Sequence, residues 1–200
     1  MSGSCHASWQ AAARSARVCA ATRIGFLLLA FCSLMPVAGA AHGGELKPWT
    51  GGATPPLVLK DPAGKIHDLA AYRGKVVLVN FWATWCAPCR EEMPSMQALL
   101  QRLDGKPFEV LAVNLMESEE KIAAFREAEL IDLPVLMDRD GAAAKRWKVR
   151  MLPMSFVIDR RGAIRYQLVG EATWTRPEIS SAIERLIGAD AKNQSASTAR

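Results

Sequence analysis

The chain alternates between strand-like and helix-like blocks of hydrophobic residues. Residues 76–82 form an almost continuous apolar run, which is typical of a central strand covered on both faces. Residues 88–103 then place apolar side chains at helical spacing and predict a helix that ends near Gly105. A short hairpin, with its turn at residues 62–64, is predicted before the central strand.

The alternation of strands and helices continues to residue 188. Further strands are predicted at residues 108–114, 134–137, 153–159 and 163–169. Further helices are predicted at residues 122–129 and 141–148, and a last helix is expected to stop at Gly188. The order β-α-β-α-β-α-β-β-α predicts an α/β fold with one mixed sheet.

The first forty residues have the features of a targeting segment. A basic region ends at Arg23, an apolar run covers residues 24–35, and residues 38–40 supply the small side chains that signal peptidase requires. The apolar run is shorter than the roughly 20 residues that cross a bilayer core. We therefore expect a cleavable signal peptide within 1–40 and a location in the periplasm. The alternative is a membrane tether through residues 24–41 that holds the domain at the inner membrane, facing the periplasm.

Three segments follow the targeting segment. Residues 41–55 are rich in Gly and Pro and predict a linker. Residues 56–188 form the predicted domain, and the polar residues 189–200 predict a disordered tail.

Composition changes this picture little. The chain has 50% hydrophobic and 22% charged residues, which excludes disordered, collagen-like and multi-span membrane classes. Its formal charge is +5, but Arg14, Arg17 and Arg23 lie in the first forty residues, which contain no acid. The remainder is almost neutral, so no nucleic-acid partner is predicted.

The cysteines indicate a functional pair rather than a fold that is stabilised by several disulfides. Cys5, Cys19 and Cys32 lie in the targeting segment, so Cys86 and Cys89 alone would remain after cleavage. A disulfide across so short a loop adds little chain-entropy stabilisation. The pair is therefore predicted to be functional.

The pair lies where the buried strand turns into the first helix. A thiol at a helix N-terminus faces unpaired N–H groups and the positive end of the helix dipole, which favour the thiolate. Cys86 is thus the predicted nucleophile, and Cys89 follows on the same helical face to resolve a mixed disulfide. Pro88 suits the first helical turn because it has no N–H to leave unpaired.

Metal binding is the main alternative for two thiolates at this spacing. A structural zinc site needs four ligands, and the chain has no second cysteine pair, while His42 and His67 stand singly. No metal site is therefore predicted. A copper-binding or metallochaperone module stays as the alternative, since several methionines lie nearby in sequence. We interpret these methionines as core residues: Met93, Met96, Met151 and Met154.

Residues 81–94 (FWATWCAPCREEMP) closely resemble the active-site segment of the TlpA/ResA-type thioredoxin-like thiol–disulfide oxidoreductases. The likeness runs from about residue 56 to residue 187. The resemblance implies a thioredoxin fold, with a mixed central sheet flanked by helices, an N-terminal β-hairpin extension and a central insert at residues 115–150.

The resemblance also implies roles for individual residues. Cys86 and Cys89 match the redox pair, whose redox-active disulfide takes the place of any bound cofactor. Glu92 matches the family's active-site glutamate, and it follows Cys89 by three residues. A partly buried carboxyl there would have a raised pKa and could exchange protons with Cys89. Pro153 matches a cis-proline that packs against the disulfide and helps to dock substrate.

Four further residues are expected to dock the substrate: Trp85, Pro88, Leu152 and Met154. The family usually has threonine after the cis-proline, whereas this chain has Met154 and Ser155. We therefore expect an apolar docking surface in place of a polar one.

The resemblance finally implies a function. The protein would reduce disulfides of client proteins, either the haem-attachment cysteines of apocytochrome c or the cysteines of a copper centre. The oxidised pair would then be reduced by a membrane electron donor of the DsbD or CcdA kind. A peroxidase is a weaker alternative, because peroxiredoxins need a threonine where this chain has Ala83.

Overall fold

The computed structural model describes residues 43–198. The predicted targeting segment and the first two residues of the predicted linker lie outside the described residues. Within residues 43–198, no helix combines the length and the apolar character needed to cross a membrane.

The strands of the described region form a single mixed sheet. In chain order they are β1 (Lys47–Pro48), β2 (Val58–Lys60), β3 (Ile66–Asp68), β4 (Val76–Trp82), β5 (Phe108–Leu115), β6 (Val135–Asp138), β7 (Met154–Ile158) and β8 (Ile164–Val169). Their spatial order is β1-β8-β7-β4-β5-β6-β2-β3. Strand β4 runs parallel to β5 and antiparallel to β7, which confirms the mixed central sheet. The β2–β3 hairpin extends the sheet beyond β6.

The helices of the described region cover both faces of the sheet. They are α1 (Ala87–Arg102), α2 (Glu119–Glu129), α3 (Ala142–Arg146) and α4 (Pro177–Thr198), and a 3-10 turn spans Leu69–Tyr72. Buried side chains of α1, α2 and α4 belong to one core cluster. Those of α3 and of the 3-10 turn belong to a second cluster on the other face.

Strand β4 separates the two core clusters. Val76, Leu78 and Trp82 point into the first cluster, whereas Val77 and its alternate neighbours point into the second. Every residue of β4 is buried, because side chains alternate across a strand and both faces are covered. This burial is the physical reason for the continuous apolar run in the sequence.

The structure differs from two predictions about the ends of the domain. The segment predicted as a linker contains β1, where Lys47–Pro48 pairs with β8. A strand of two residues is too short to produce a hydrophobic pattern. Helix α4 also continues through Gly188 to Thr198, where a disordered tail was expected. A helical glycine costs about 1 kcal/mol relative to alanine, which the flanking good helix formers offset.

Candidate redox site

The redox pair lies at the junction of β4 and α1. Cys86 is the N-cap residue of α1, and its Sγ accepts a hydrogen bond of 3.3 Å from the backbone N–H of Cys89. The two residues form a disulfide. Both are buried, while the neighbouring Trp85 is 67% exposed. The sulfur of Cys86 therefore faces the positive end of α1, as the sequence predicts.

Pro153 lies at the same edge of the sheet. The Leu152–Pro153 peptide bond is cis, as the family resemblance implies. Met154 pairs with Phe81 across the β4–β7 ladder, so Pro153 lies beside the end of β4 that leads into the redox turn. Pro153 itself is buried.

The predicted docking residues differ in their exposure. Trp85 is exposed, and Pro88 and Leu152 are half-buried at the surface near the pair. Met154 is instead buried, at 8% exposure, in the core cluster that also contains Phe156. Residues two apart on a strand share a face, so Met154 points inward with Phe156 and adds little to a docking surface.

Glu92 is a buried carboxyl on the same helix as the pair. It is 2% exposed and accepts hydrogen bonds from Asn80 Nδ2 at 2.6 Å, from Ala172 N at 3.0 Å and from Trp174 Nε1 at 3.2 Å. Burial raises the pKa of Glu92 to about 8, although the three hydrogen bonds act in the opposite direction. Glu92 is therefore not a solvated surface acid like the exposed Glu91 beside it.

Asn80 holds Glu92 from the central strand. Its Nδ2 donates to Glu92 and, at 2.9 Å, to Ser155 Oγ. Its Oδ1 has no hydrogen-bond partner within residues 43–198. A rotation of the amide would exchange donor and acceptor, so Asn80 can pair with Glu92 whether the carboxyl is ionised or protonated.

A second carboxyl near the pair, that of Glu117, was not predicted from the sequence to be part of the site. Glu117 accepts hydrogen bonds from Thr84, which lies two residues before Cys86, and from Asn114 at the end of β5. In the sequence it precedes α2 and is indistinguishable from an acid that favours a helix N-terminus. The signal that points to it is structural, since the parallel strands β4 and β5 end at the same edge of the sheet.

Comparison with known proteins identifies the family. Residues 50–167 match the family described as AhpC/TSA. The chain belongs to this family. It is 36% identical over 136 residues to the thiol-disulfide oxidoreductase ResA of Geobacillus thermodenitrificans, a match that covers 68% of this chain and 77% of that protein. Identity to ResA of Bacillus subtilis is 32% over 152 residues, or 76% and 85% of the two chains.

Solved structures give the same result. A candidate DsbE thiol:disulfide interchange protein from Chlorobium tepidum is 32% identical, with a TM-score of 0.59, over 72% of this chain and 98% of that one. The thioredoxin domain of thiol-disulfide oxidoreductase BVU-2223 from Bacteroides vulgatus is 21% identical, with a TM-score of 0.61, over 70% and 99%. The latter likeness shows the fold alone. Together these findings confirm a thioredoxin fold and a thiol–disulfide oxidoreductase of the ResA and DsbE type.

Proposed function

We propose that this oxidoreductase works in the periplasm and reduces disulfides of client proteins. The observation that carries the proposal is the Cys86–Cys89 pair at the start of α1, with the buried Glu92 one helical turn beyond Cys89. The predicted signal peptide within residues 1–40, or the alternative tether through residues 24–41, supports export.

The reaction takes two exchange steps. The Cys86 thiolate attacks one sulfur of the client disulfide, so that a mixed disulfide forms and the other client sulfur leaves as a thiolate. Cys89 then loses its proton and attacks Cys86 Sγ, which closes the Cys86–Cys89 disulfide and releases the second client thiolate. Two electrons pass to the client, and each released thiolate takes up one proton.

Glu92 is the proposed proton-exchange partner of Cys89, and it accepts the thiol proton in those molecules in which its carboxyl is ionised. Its pKa of about 8 is close to the ordinary thiol value of about 8.5, so a proton moves between the two groups at little cost. Asn80 supports both states of the carboxyl through its amide.

The clients are proteins with a cysteine pair. We propose the haem-attachment cysteines of an apocytochrome c or the cysteines of a copper centre. The exposed Trp85 and the half-buried Pro88 and Leu152 are the apolar residues that would contact the client. Pro153 would dock the client backbone next to the pair. A membrane donor of the DsbD or CcdA kind would return electrons to the oxidised protein.

Two other functions have less support. In a copper-binding module both thiolates would hold the metal without turnover, but Met93, Met96 and Met154 are buried in the core. The interpretation as a core residue is wrong for Met151, which is 57% exposed. For a peroxidase, the position of the required threonine is taken by the buried Ala83, which has no hydroxyl.

The proposal is tested with an oxidised peptide that carries a Cys-x-x-Cys-His segment. Reduced wild-type protein is expected to release two thiols per peptide, and Cys86→Ser is expected to release none. Cys89→Ser should stop at the mixed disulfide, which mass spectrometry detects as a one-to-one adduct. The proposal fails if Cys86→Ser reduces the peptide as fast as wild type. It also fails if wild type binds one Cu(I) tightly but never reduces the peptide.

A further inference from the structure

Glu117 joins the turn before the redox pair to the neighbouring strand. Its Oε2 accepts from the backbone N–H of Thr84 at 2.6 Å, and its Oε1 accepts from Thr84 Oγ1 at 2.7 Å. One carboxylate thus binds both hydrogen-bond donors of a residue that lies two positions before Cys86.

The sheet explains why these residues meet. Strands β4 and β5 run parallel and in register, with Trp82 opposite Asn114. Thr84 follows Trp82 by two residues and Glu117 follows Asn114 by three. The two residues therefore lie next to each other, just beyond the ends of the paired strands. Asn114 Nδ2 also donates to Glu117 Oε2 at 2.9 Å, which orients the carboxylate toward the redox turn.

The Glu117 carboxylate is buried and forms an ion pair with a lysine. The side chain of Glu117 is 4% exposed, and Lys121 Nζ lies 2.6 Å from its Oε1. Burial has the largest single effect on the pKa of Glu117 and raises it. The hydrogen bonds from Lys121, Thr84 and Asn114 together outweigh burial and lower this pKa. Glu117 is therefore ionised at neutral pH, whereas Glu92 is largely protonated.

We propose that Glu117 is a positioning residue for Cys86. By holding Thr84 from the adjacent strand, it fixes the turn that places the sulfur of Cys86 against the N-terminus of α1. A backbone hydrogen bond from Cys86 N to Ala83 O at 3.1 Å is internal to the turn and does not attach it to β5. The inference rests on the exchange chemistry of the pair and requires neither a particular client nor a direction of electron flow.

Loss of the Glu117–Thr84 contact, the Glu117 anchor, has two opposing consequences for the Cys86 thiolate. A looser turn lets Cys86 Sγ move away from the Cys89 N–H, which removes stabilisation from the thiolate. Removal of a nearby negative charge would instead stabilise the thiolate. Because the Lys121 side chain is 55% exposed, it can turn into solvent once its carboxylate partner is lost, so both charges leave the site and the positional effect is expected to prevail. The two effects move the reactivity of Cys86 in opposite directions, so an experiment can separate them.

The test measures alkylation of Cys86 by iodoacetamide in the fully reduced protein, as a function of pH, with the site assigned by mass spectrometry. Glu117→Gln is expected to raise the pH midpoint of the rate by about one unit, which slows the reaction about tenfold at pH values well below both midpoints. Thr84→Val removes only the hydroxyl and is expected to give a smaller shift in the same direction.

Glu109→Gln is the matched control. Glu109 lies on β5 and binds Lys75 at 3.0 Å, so this variant loses a carboxylate–lysine contact at the far end of the same strands. It is expected to leave the midpoint unchanged. Equal midpoints for Glu117→Gln and Glu109→Gln would overturn the inference, and so would a lower midpoint, which would reveal a charge effect.

Two further outcomes keep the test decisive. If Glu117→Gln does not fold, Thr84→Val tests the same contact from the other side, and an unchanged midpoint in that variant contradicts the inference. If wild type reacts as expected with iodoacetamide but reduces no client peptide, the proposed function fails while the inference about Glu117 stands.

Discussion

Glu92 links the stability of the domain to pH. A carboxyl at 2% exposure loses the solvation that its ionised form prefers, and the three hydrogen bonds from Asn80, Ala172 and Trp174 restore part of it. The result is a pKa near 8, against an ordinary value of 4.5. Between these two pKa values, the folded protein therefore keeps the Glu92 proton at a pH where the unfolded chain releases it.

The sign of the pH dependence follows from this difference. Below about pH 4.5 both states hold the proton, and Glu92 imposes no penalty. As the pH rises toward 8, ionisation favours the unfolded chain, so the free energy of unfolding falls by at most about 1.4 kcal/mol per pH unit. Glu92→Gln removes this titration. We expect the oxidised variant to gain stability relative to wild type from pH 5 to pH 8, measured by urea denaturation.

Glu91→Gln controls for the loss of a carboxyl from the same helix. Glu91 is exposed, so this variant is expected to follow the wild-type slope. The oxidised protein is used because no thiol of the pair then titrates. Parallel stability curves for wild type and Glu92→Gln would show that the carboxyl is ionised in the folded protein, contrary to our account.

The position of Glu92 near the pair could be predicted from the sequence, whereas the tertiary contacts of Met154 and Glu117 could not. The helical spacing from Cys89 places Glu92 near the pair, because a three-residue step returns to the same face. The burial of Met154 depends on the packing that covers both faces of β7, and the role of Glu117 depends on its contact with Thr84, which lies 33 residues earlier in the chain. Neither fact has a local signature in the chain.

The elements of the sheet differ in how firmly they are held. Strand β4 pairs with β5 along its whole length and with β7 on its other side, and all its residues are buried. The β2–β3 hairpin is joined to β6 by the pairing of Lys60 with Met137 and leaves Ile66 61% exposed. The hairpin should therefore open more readily than the centre of the sheet.

Hydrogen exchange tests this difference between elements. Backbone amides of β2 and β3 are expected to exchange at least tenfold faster than those of β4 and β5 in the oxidised protein, followed by mass spectrometry of peptides. Strand β7 is the internal control, since it pairs on both sides and is expected to resemble β4. Equal protection of the hairpin and β4 would contradict this view of the edge.

The central elements could be predicted because their patterns are strong. A buried strand followed by a helix with apolar positions at a 3.6-residue period is readable from β4 and α1 alone. The ends of the domain lack such patterns. Strand β1 has two residues, and α4 passes through a glycine that usually marks a helix end.

For the whole molecule, fold and chemistry agree on one class of reaction. The sheet brings the redox turn, Pro153 and the Glu117 anchor to one edge, and α1 directs its N-terminus at Cys86. Similarity to ResA and to DsbE-like structures supports thiol–disulfide exchange. The direction of electron flow is the central claim of the proposed function.

The most direct test is the equilibrium reduction potential of the Cys86–Cys89 pair, measured in dithiol–disulfide buffers at pH 7. A reductant of client disulfides must hold its electrons at a lower potential than its clients. We therefore predict a value near or below about −250 mV, in the range of thioredoxin. A value near about −120 mV, as in the strong oxidant DsbA, would contradict the account and indicate a protein that introduces disulfides.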